Sequence, residues 1–303
     1  QIVNKNRQNT LTCPTCNRFW QIFTKRVKDN KTGLANVLYF KKNLSIHTEG
    51  KNGKENTFSF NNSLLARNIS FSYVEDAPAL HNVSFEIKKG ETIGLIGPSG
   101  SGKTTLADMI LRLFKPREGQ ILIDGKSIED INLREWRRNV GYVSQDLFLV
   151  NSTVEENIRF FNDSFTLTDI KRAASDANIA DVIEKLPEGY QTRIGDRGLF
   201  LSAGQRQRIV LARVLATHPK ILVLDEATSA LDNESEKLVH SSIEKLHGNI
   251  TVLIIAHRLS TVLLADRVMV LDNGKIEEIG KPKELLLNKN SYFYRLYHAQ
   301  TLD

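Results

Sequence analysis

The chain has 303 residues, 41% of them hydrophobic, enough to bury a full core in one large domain or two modest ones. No run approaches the roughly 18 consecutive apolar residues of a membrane-spanning helix, so this sequence is not expected to cross a membrane itself. The net charge of +6 is uneven: residues 1–60 hold 11 Lys/Arg and 3 Asp/Glu, whereas the other 243 residues hold 30 and 32.

Residues 1–62 are rich in Asn, Lys and Thr and lack periodicity. Their basic excess suits acidic lipid headgroups or nucleic acid, but the composition fits a solvated arm better. The sequence begins with Gln1 and no signal-peptide pattern follows, which leaves a processed chain and a piece of a longer product both open. Cys13 and Cys16 are the only cysteines. A zinc site needs two more ligands at suitable spacing, so two reduced thiols are expected. Residues 50–54, Gly-Lys-Asn-Gly-Lys, read as a linker.

Near Leu64 the texture changes. Residues 65–73 and 83–87 alternate between apolar and polar, as half-buried antiparallel strands do. Residues 91–96 form a short apolar strand that enters a glycine-rich turn, and a helix is expected from Lys103. Helical spacing marks residues 169–186 and 203–216, with Pro219 closing the second. Residues 221–224 and 251–256 read as buried strands. Residues 268–271 and 275–279 flank Asn273-Gly274, a strong hairpin signal. Strands alternating with helices indicate an α/β domain with a largely parallel sheet.

Gly97-Pro98-Ser99-Gly100-Ser101-Gly102-Lys103-Thr104 fits G-x-x-x-x-G-K-[ST] in the right context, after a strand and opening a helix. Glycines let successive backbone N–H groups face one anion, and the helix N-terminus adds partial positive charge. Lys103 can reach the β- and γ-phosphates, and the Thr104 hydroxyl can ligate Mg²⁺. Far downstream, residues 221–224 end in Asp225 and Glu226. Beside a phosphate loop, Asp225 would hold Mg²⁺ and Glu226 would polarise the attacking water.

Leu201-Ser202-Ala203-Gly204-Gln205-Arg206-Gln207-Arg208 resembles the signature of ABC ATPases, Leu-Ser-Gly-Gly-Gln, with Ala203 where glycine is usual. The resemblance covers about residues 64–303. It implies an α/β P-loop NTPase of ABC type over residues 63–303, with a mostly parallel core sheet, an antiparallel β subdomain and a helical signature subdomain. ATP and Mg²⁺ are the implied ligands. The phosphate loop, extended to Thr105, would hold the triphosphate. Tyr73 matches the aromatic that stacks on adenine, and Gln145 the glutamine that touches Mg²⁺ and the water. His257 matches the histidine that contacts the γ-phosphate. Ser229-Ala230-Leu231-Asp232 resembles the loop that crosses to a partner. In this family Ser202, Gly204 and Gln205 cap ATP held by an opposing domain, so a second ABC domain, identical or different, is the implied partner. His81, His218, His240, His247 and His298 have no such place and read as structural or exposed.

Residues 133–158 resemble the groove of ABC exporters that receives the membrane domain, residues 192–198 an exporter-specific loop, and residues 282–297 the last helices of half-transporters. The implied role is ATP hydrolysis powering export from the cytoplasmic face of a membrane. The membrane domain is expected on the same full-length chain, joined through residues 40–63, or on a separate subunit. The rival reading is a soluble ABC ATPase of nucleic acid or ribosomes, but no specific nucleic-acid contact is expected. A non-hydrolysing binding module is opposed by intact Lys103, Asp225, Glu226 and His257. Residues 1–39 carry no motif that suggests a family, and the transported substrate is not written in this sequence.

Overall fold

The computed structural model describes residues 57–74, 77–160, 162–227, 231–256 and 258–300. All lie in one unit, Gly53–Asp303. In chain order the strands are β1 (Ser63–Val74), β2 (Ala77–Lys88), β3 (Thr92–Ile96), β4 (Glu118–Ile123) and β5 (Lys126–Ser127). They continue with β6 (Val140–Val143), β7 (Ile221–Asp225), β8 (Thr251–Ile255), β9 (Arg267–Asp272) and β10 (Lys275–Gly280). The helices begin with α1 (Lys103–Ile110), α2 (Leu133–Asn139), α3 (Val154–Arg159), α4 (Leu167–Asp176) and α5 (Ala180–Glu184). After them come α6 (Ala203–Leu215), α7 (Asn233–Leu246), α8 (Leu259–Val262), α9 (Pro282–Leu287) and α10 (Tyr292–Gln300).

Six strands form the central sheet in the order β10-β9-β3-β8-β7-β6. From β9 to β6 every pairing is parallel, and only β10 joins antiparallel. Every residue of β3, β7 and β8 is buried. Their unbroken apolar runs are what a parallel strand covered on both faces requires. β10 alternates exposed and half-buried, as an edge strand does. Asn273 and Gly274 take φ of 45° and 74°, the tight turn expected of Asn-Gly.

A second, antiparallel sheet has the order β2-β1-β4-β5. β1 and β2 run past the alternating segments seen in the sequence because Asn68 and Asn82, at φ of 53° and 50°, interrupt the pattern without ending the strands. Their amides donate to the hydroxyls of Ser84 and Ser70 across the pair. The chain is already pinned ahead of β1: Phe60 is buried, the Phe58 ring lies 5.7 Å from that of Trp136, and the amides of Asn61 and Asn62 donate to Asp124.

The helix expected over 169–186 is two. Asn178 at φ 51° breaks it, with its side-chain amide donating to the Leu238 carbonyl and the Ser242 hydroxyl on α7. Asparagine tolerates the left-handed conformation, and those bonds compensate for the interruption. α6 packs against α3 and α4 on one side and α7 on another. Among the described residues no helix is long and apolar enough to cross a membrane.

Candidate functional site

β3 delivers the chain into the loop 97–102, and α1 leaves it. A Cβ at Gly97, whose φ is 152°, would sit 1.8 Å from the Leu271 carbonyl oxygen; one at Gly102, φ 105°, would sit 2.6 Å from that of Ala79. Only glycine fits either position. The β9–β10 turn braces the loop from behind, with the Gly274 amide donating to the Ser101 carbonyl at 3.0 Å. The Lys103 ammonium donates to the Gly97 and Pro98 carbonyls, both at 2.8 Å. Burial lowers the Lys103 pKa, against the opposing pull of Glu226 and Asp225.

A cleft of about 300 Å³ opens over this loop. Tyr73 and Ala79 of the antiparallel sheet border one side; Ser99, Gly100, the start of α1 (Gly102, Lys103, Thr104, Thr105) and Glu226 border the rest. The Tyr73 ring stands edge-on to Phe71 and Phe114, at 5.0 and 5.5 Å, and its hydroxyl is 3.1 Å from that of Thr105. That aromatic cluster holds an apolar wall beside a phosphate-sized nest.

β7 ends in Asp225, and Glu226 follows it directly. Asp225 is 5% exposed and accepts a hydrogen bond from the Tyr142 hydroxyl at 3.0 Å. Glu226 has φ 51°, and its amide donates to the Ile255 carbonyl at 2.9 Å. A non-glycine residue in that conformation costs roughly 1–2 kcal/mol, and one backbone hydrogen bond returns about 1. The remaining strain sits where the side chain turns into the cleft, as at many active sites. The oxygen donors gathered here, the exposed Thr104 hydroxyl and two carboxylates, suit a hard cation. Among the described residues no three His, Cys, Asp or Glu side chains form a metal cage. A hydroxyl and carboxylates fit Mg²⁺, which takes one or two carboxylates together with phosphate oxygens.

The second group of expected residues lies elsewhere. Ser202 caps α6 reciprocally: its hydroxyl accepts from the Gln205 amide, and its own amide donates to Gln205 Oε1. A Cβ on Gly204 would fall 2.2 Å from the Ser235 hydroxyl, so α6 and α7 touch through this glycine. Ser235 donates to Asp232, which caps α7 by accepting from the Glu234 and Ser235 amides. The Ser235 amide and then its hydroxyl hold the Asp232 carboxyl below the usual carboxylate range. Ser202, Gly204, Gln205 and Asp232 thus form one ridge, and none of them borders the Lys103 cleft. Gln145, two residues past β6, is exposed and not on the cleft border either. His257, Ser229 and Ala230, like Cys13 and Cys16, fall outside the described residues.

Residues 80–229 match the model of the ABC transporter family, a stretch that holds the phosphate loop, the Ser202 cap and the Asp225-Glu226 pair. This is an ABC transporter domain. The heterocyst differentiation ATP-binding protein HepA of a Nostoc species is 46% identical over 236 residues, 78% of this chain and 39% of that protein. The alpha-hemolysin translocation ATP-binding protein HlyB of Escherichia coli is 44% identical over 285 residues, 94% of this chain and 39% of that protein. The solved structure of a bacterial Atm1-family ABC exporter with ATP bound superposes with a TM-score of 0.77 at 36% identity, covering 89% of this chain and 47% of that one. The chain therefore spans about two fifths of the length of these curated relatives.

Two supports of the ABC domain have no motif to announce them. Arg213 of α6 is half-buried, and among the described residues no carboxylate is hydrogen-bonded to it; it donates to the Phe148 and Asn157 carbonyls and lies 4.1 Å from the Phe160 ring centre. Burial pulls its pKa down to about 9. It ties the signature helix to residues 148–160. The second support is Glu236 of α7, which accepts from Arg258 at 2.5 Å and Ser260 at 2.6 Å, while Arg258 also donates to the Leu231 carbonyl. Burial opposes the charge of Glu236, but the hydrogen bonds from Ser260 and Arg258 outweigh it and hold the carboxyl below its ordinary 4.5. Glu236→Ala should lower stability by about 2–3 kcal/mol, since it strips two charge-assisted bonds from a buried site. Because the folded carboxyl is the stronger acid, this contribution is full above pH 4.5 and fades as pH falls through the folded value. Thermal melting checks this; a shift of less than about 1 °C near neutral pH would exclude the clamp.

Proposed function

We propose that this ABC domain binds ATP with Mg²⁺, hydrolyses it as one half of a two-domain sandwich, and thereby powers export of a substrate across a membrane at whose cytoplasmic face it works. The convergence of Lys103, Thr104 and Glu226 on one cleft, with Asp225 close enough to act on the Lys103 charge and Ser202 on a ridge that does not border the cleft, carries this reading. A cleft that holds the phosphates and a signature that cannot cover them in the same chain fit two copies related head to tail.

In this reading the loop amides, the α1 N-terminus and Lys103 bind the triphosphate. Thr104 and Asp225 hold the Mg²⁺ position, with Gln145 joining when nucleotide is present. When bound, the cation neutralises charge on the phosphate oxygens. Glu226 orients a water and takes its proton; His257 contacts the γ-phosphate, and Tyr73 receives the adenine. Ser202, Gly204 and Gln205 of the other domain close the site, and Asp232 lies on the crossing loop. Hydrolysis removes the shared γ-phosphate and weakens the interface, a two-state device.

The printed descriptions of HlyB, a translocation ATP-binding protein, and of the Atm1-family exporter support the transport role. Residues 40–63 then link the domain to a membrane part, and residues 133–158, anchored by Arg213, receive it. Complementation tests the sandwich. Lys103→Ala and Ser202→Arg chains should each be inactive alone. Mixed, they should recover about a quarter of the wild-type rate, because half the dimers are mixed and each of those has one intact site. A mixture as inactive as its components refutes the shared site.

A further inference from the structure

Asp225 ends β7, and β6 pairs beside it in parallel with Tyr142 opposite Val223. Residues 223 and 225 face the same side of the sheet, so a tyrosine opposite the first can reach the second. The Tyr142 hydroxyl does so, donating to Asp225 Oδ2 at 3.0 Å across 83 residues of sequence. Tyr142 is half-buried and Asp225 is 5% exposed, so the bond lies largely out of water. Hydrogen bonds to a carboxylate in such a place are the stronger kind, and they fix the rotation of the carboxylate plane. β6 is also the strand whose continuation carries Gln145, three residues beyond Tyr142.

We infer that Tyr142 is a positioning residue for the Mg²⁺ site: its hydroxyl orients the Asp225 carboxylate and joins the end of β6, from which Gln145 departs, to that carboxylate. This rests on the proposed reading of Asp225 as a magnesium ligand. Groups one layer behind a metal ligand set its orientation, and their loss typically weakens metal affinity about 10- to 100-fold.

Tyr142→Phe removes only the hydroxyl. The measurement is binding of a fluorescent, non-hydrolysable ATP analogue to the whole chain, first in EDTA and then across a Mg²⁺ titration, with Asp225→Asn in parallel. In EDTA, Tyr142→Phe should bind the analogue within twofold of wild type. Its half-saturating Mg²⁺ concentration should rise about tenfold. Asp225→Asn should lose the Mg²⁺ enhancement altogether. Unchanged Mg²⁺ dependence in Tyr142→Phe, with the enhancement lost in Asp225→Asn, overturns the role of Tyr142 while leaving Asp225 as ligand. Equal weakening in EDTA and in Mg²⁺ overturns it too, since that marks a structural residue. An undiminished enhancement in Asp225→Asn overturns the ligand assignment and this inference with it.

Discussion

Glu226→Gln is expected to lower the ATP hydrolysis rate about 1,000-fold while leaving nucleotide bound. The glutamine keeps the size and the αL backbone of Glu226 but cannot take a proton from water. Chemistry fails while the loop amides and Lys103 still hold the triphosphate. Two consequences follow. ATP should accumulate on the protein unhydrolysed, and the proposed sandwich, no longer opened by loss of the γ-phosphate, should persist as an ATP-dependent dimer. Phosphate release under saturating ATP measures the first, and size-exclusion chromatography with Mg-ATP the second. A variant that hydrolyses within tenfold of wild type removes Glu226 from the chemistry, and one that stays monomeric with ATP bound removes the sandwich.

The second large effect is expected at Lys103. Lys103→Ala should reduce kcat/KM for ATP by about 100- to 1,000-fold, the usual loss when one preorganised donor to a reacting anion is removed. Binding should suffer as well as turnover. Lys103 borders the cleft with Glu226, and its pKa responds to both Glu226 and Asp225. Without it two carboxylates confront a triphosphate, and the Gly97 and Pro98 carbonyls lose their donor. Titration with the non-hydrolysable analogue separates binding from chemistry. Unchanged affinity would falsify the phosphate-binding role of Lys103. The Tyr142 and Glu236 variants should be milder, because those side chains act through a neighbour.

Much of this site is readable from the sequence. The glycine-lysine spacing after a strand, and an apolar run ending in Asp225-Glu226, declare themselves because local geometry dictates them. Only glycine adopts φ 152° and 105° at positions 97 and 102, and only a doubly covered strand is apolar from 221 to 224. The Asn273-Gly274 turn was legible for the same reason. The break at Asn178 was not, because bonds to Leu238 and Ser242, 60 and 64 residues away, stabilise it. Helical periodicity carries no trace of such partners.

The sequence by itself determined the chemistry on offer: a phosphate-binding loop, a pair of acids, a signature motif at the start of a helix, and the α/β order that brings strand ends together. Tertiary structure alone decided which groups meet. It set Tyr142 against Asp225, braced Gly97 and Gly102 with the Leu271 and Ala79 backbones, seated Gly204 on Ser235, and placed Ser202 off the border of the Lys103 cleft. Spacing along the chain controls backbone conformation and burial period. Contacts between distant segments depend on strand register and helix packing, which arise only when the whole core is assembled at once.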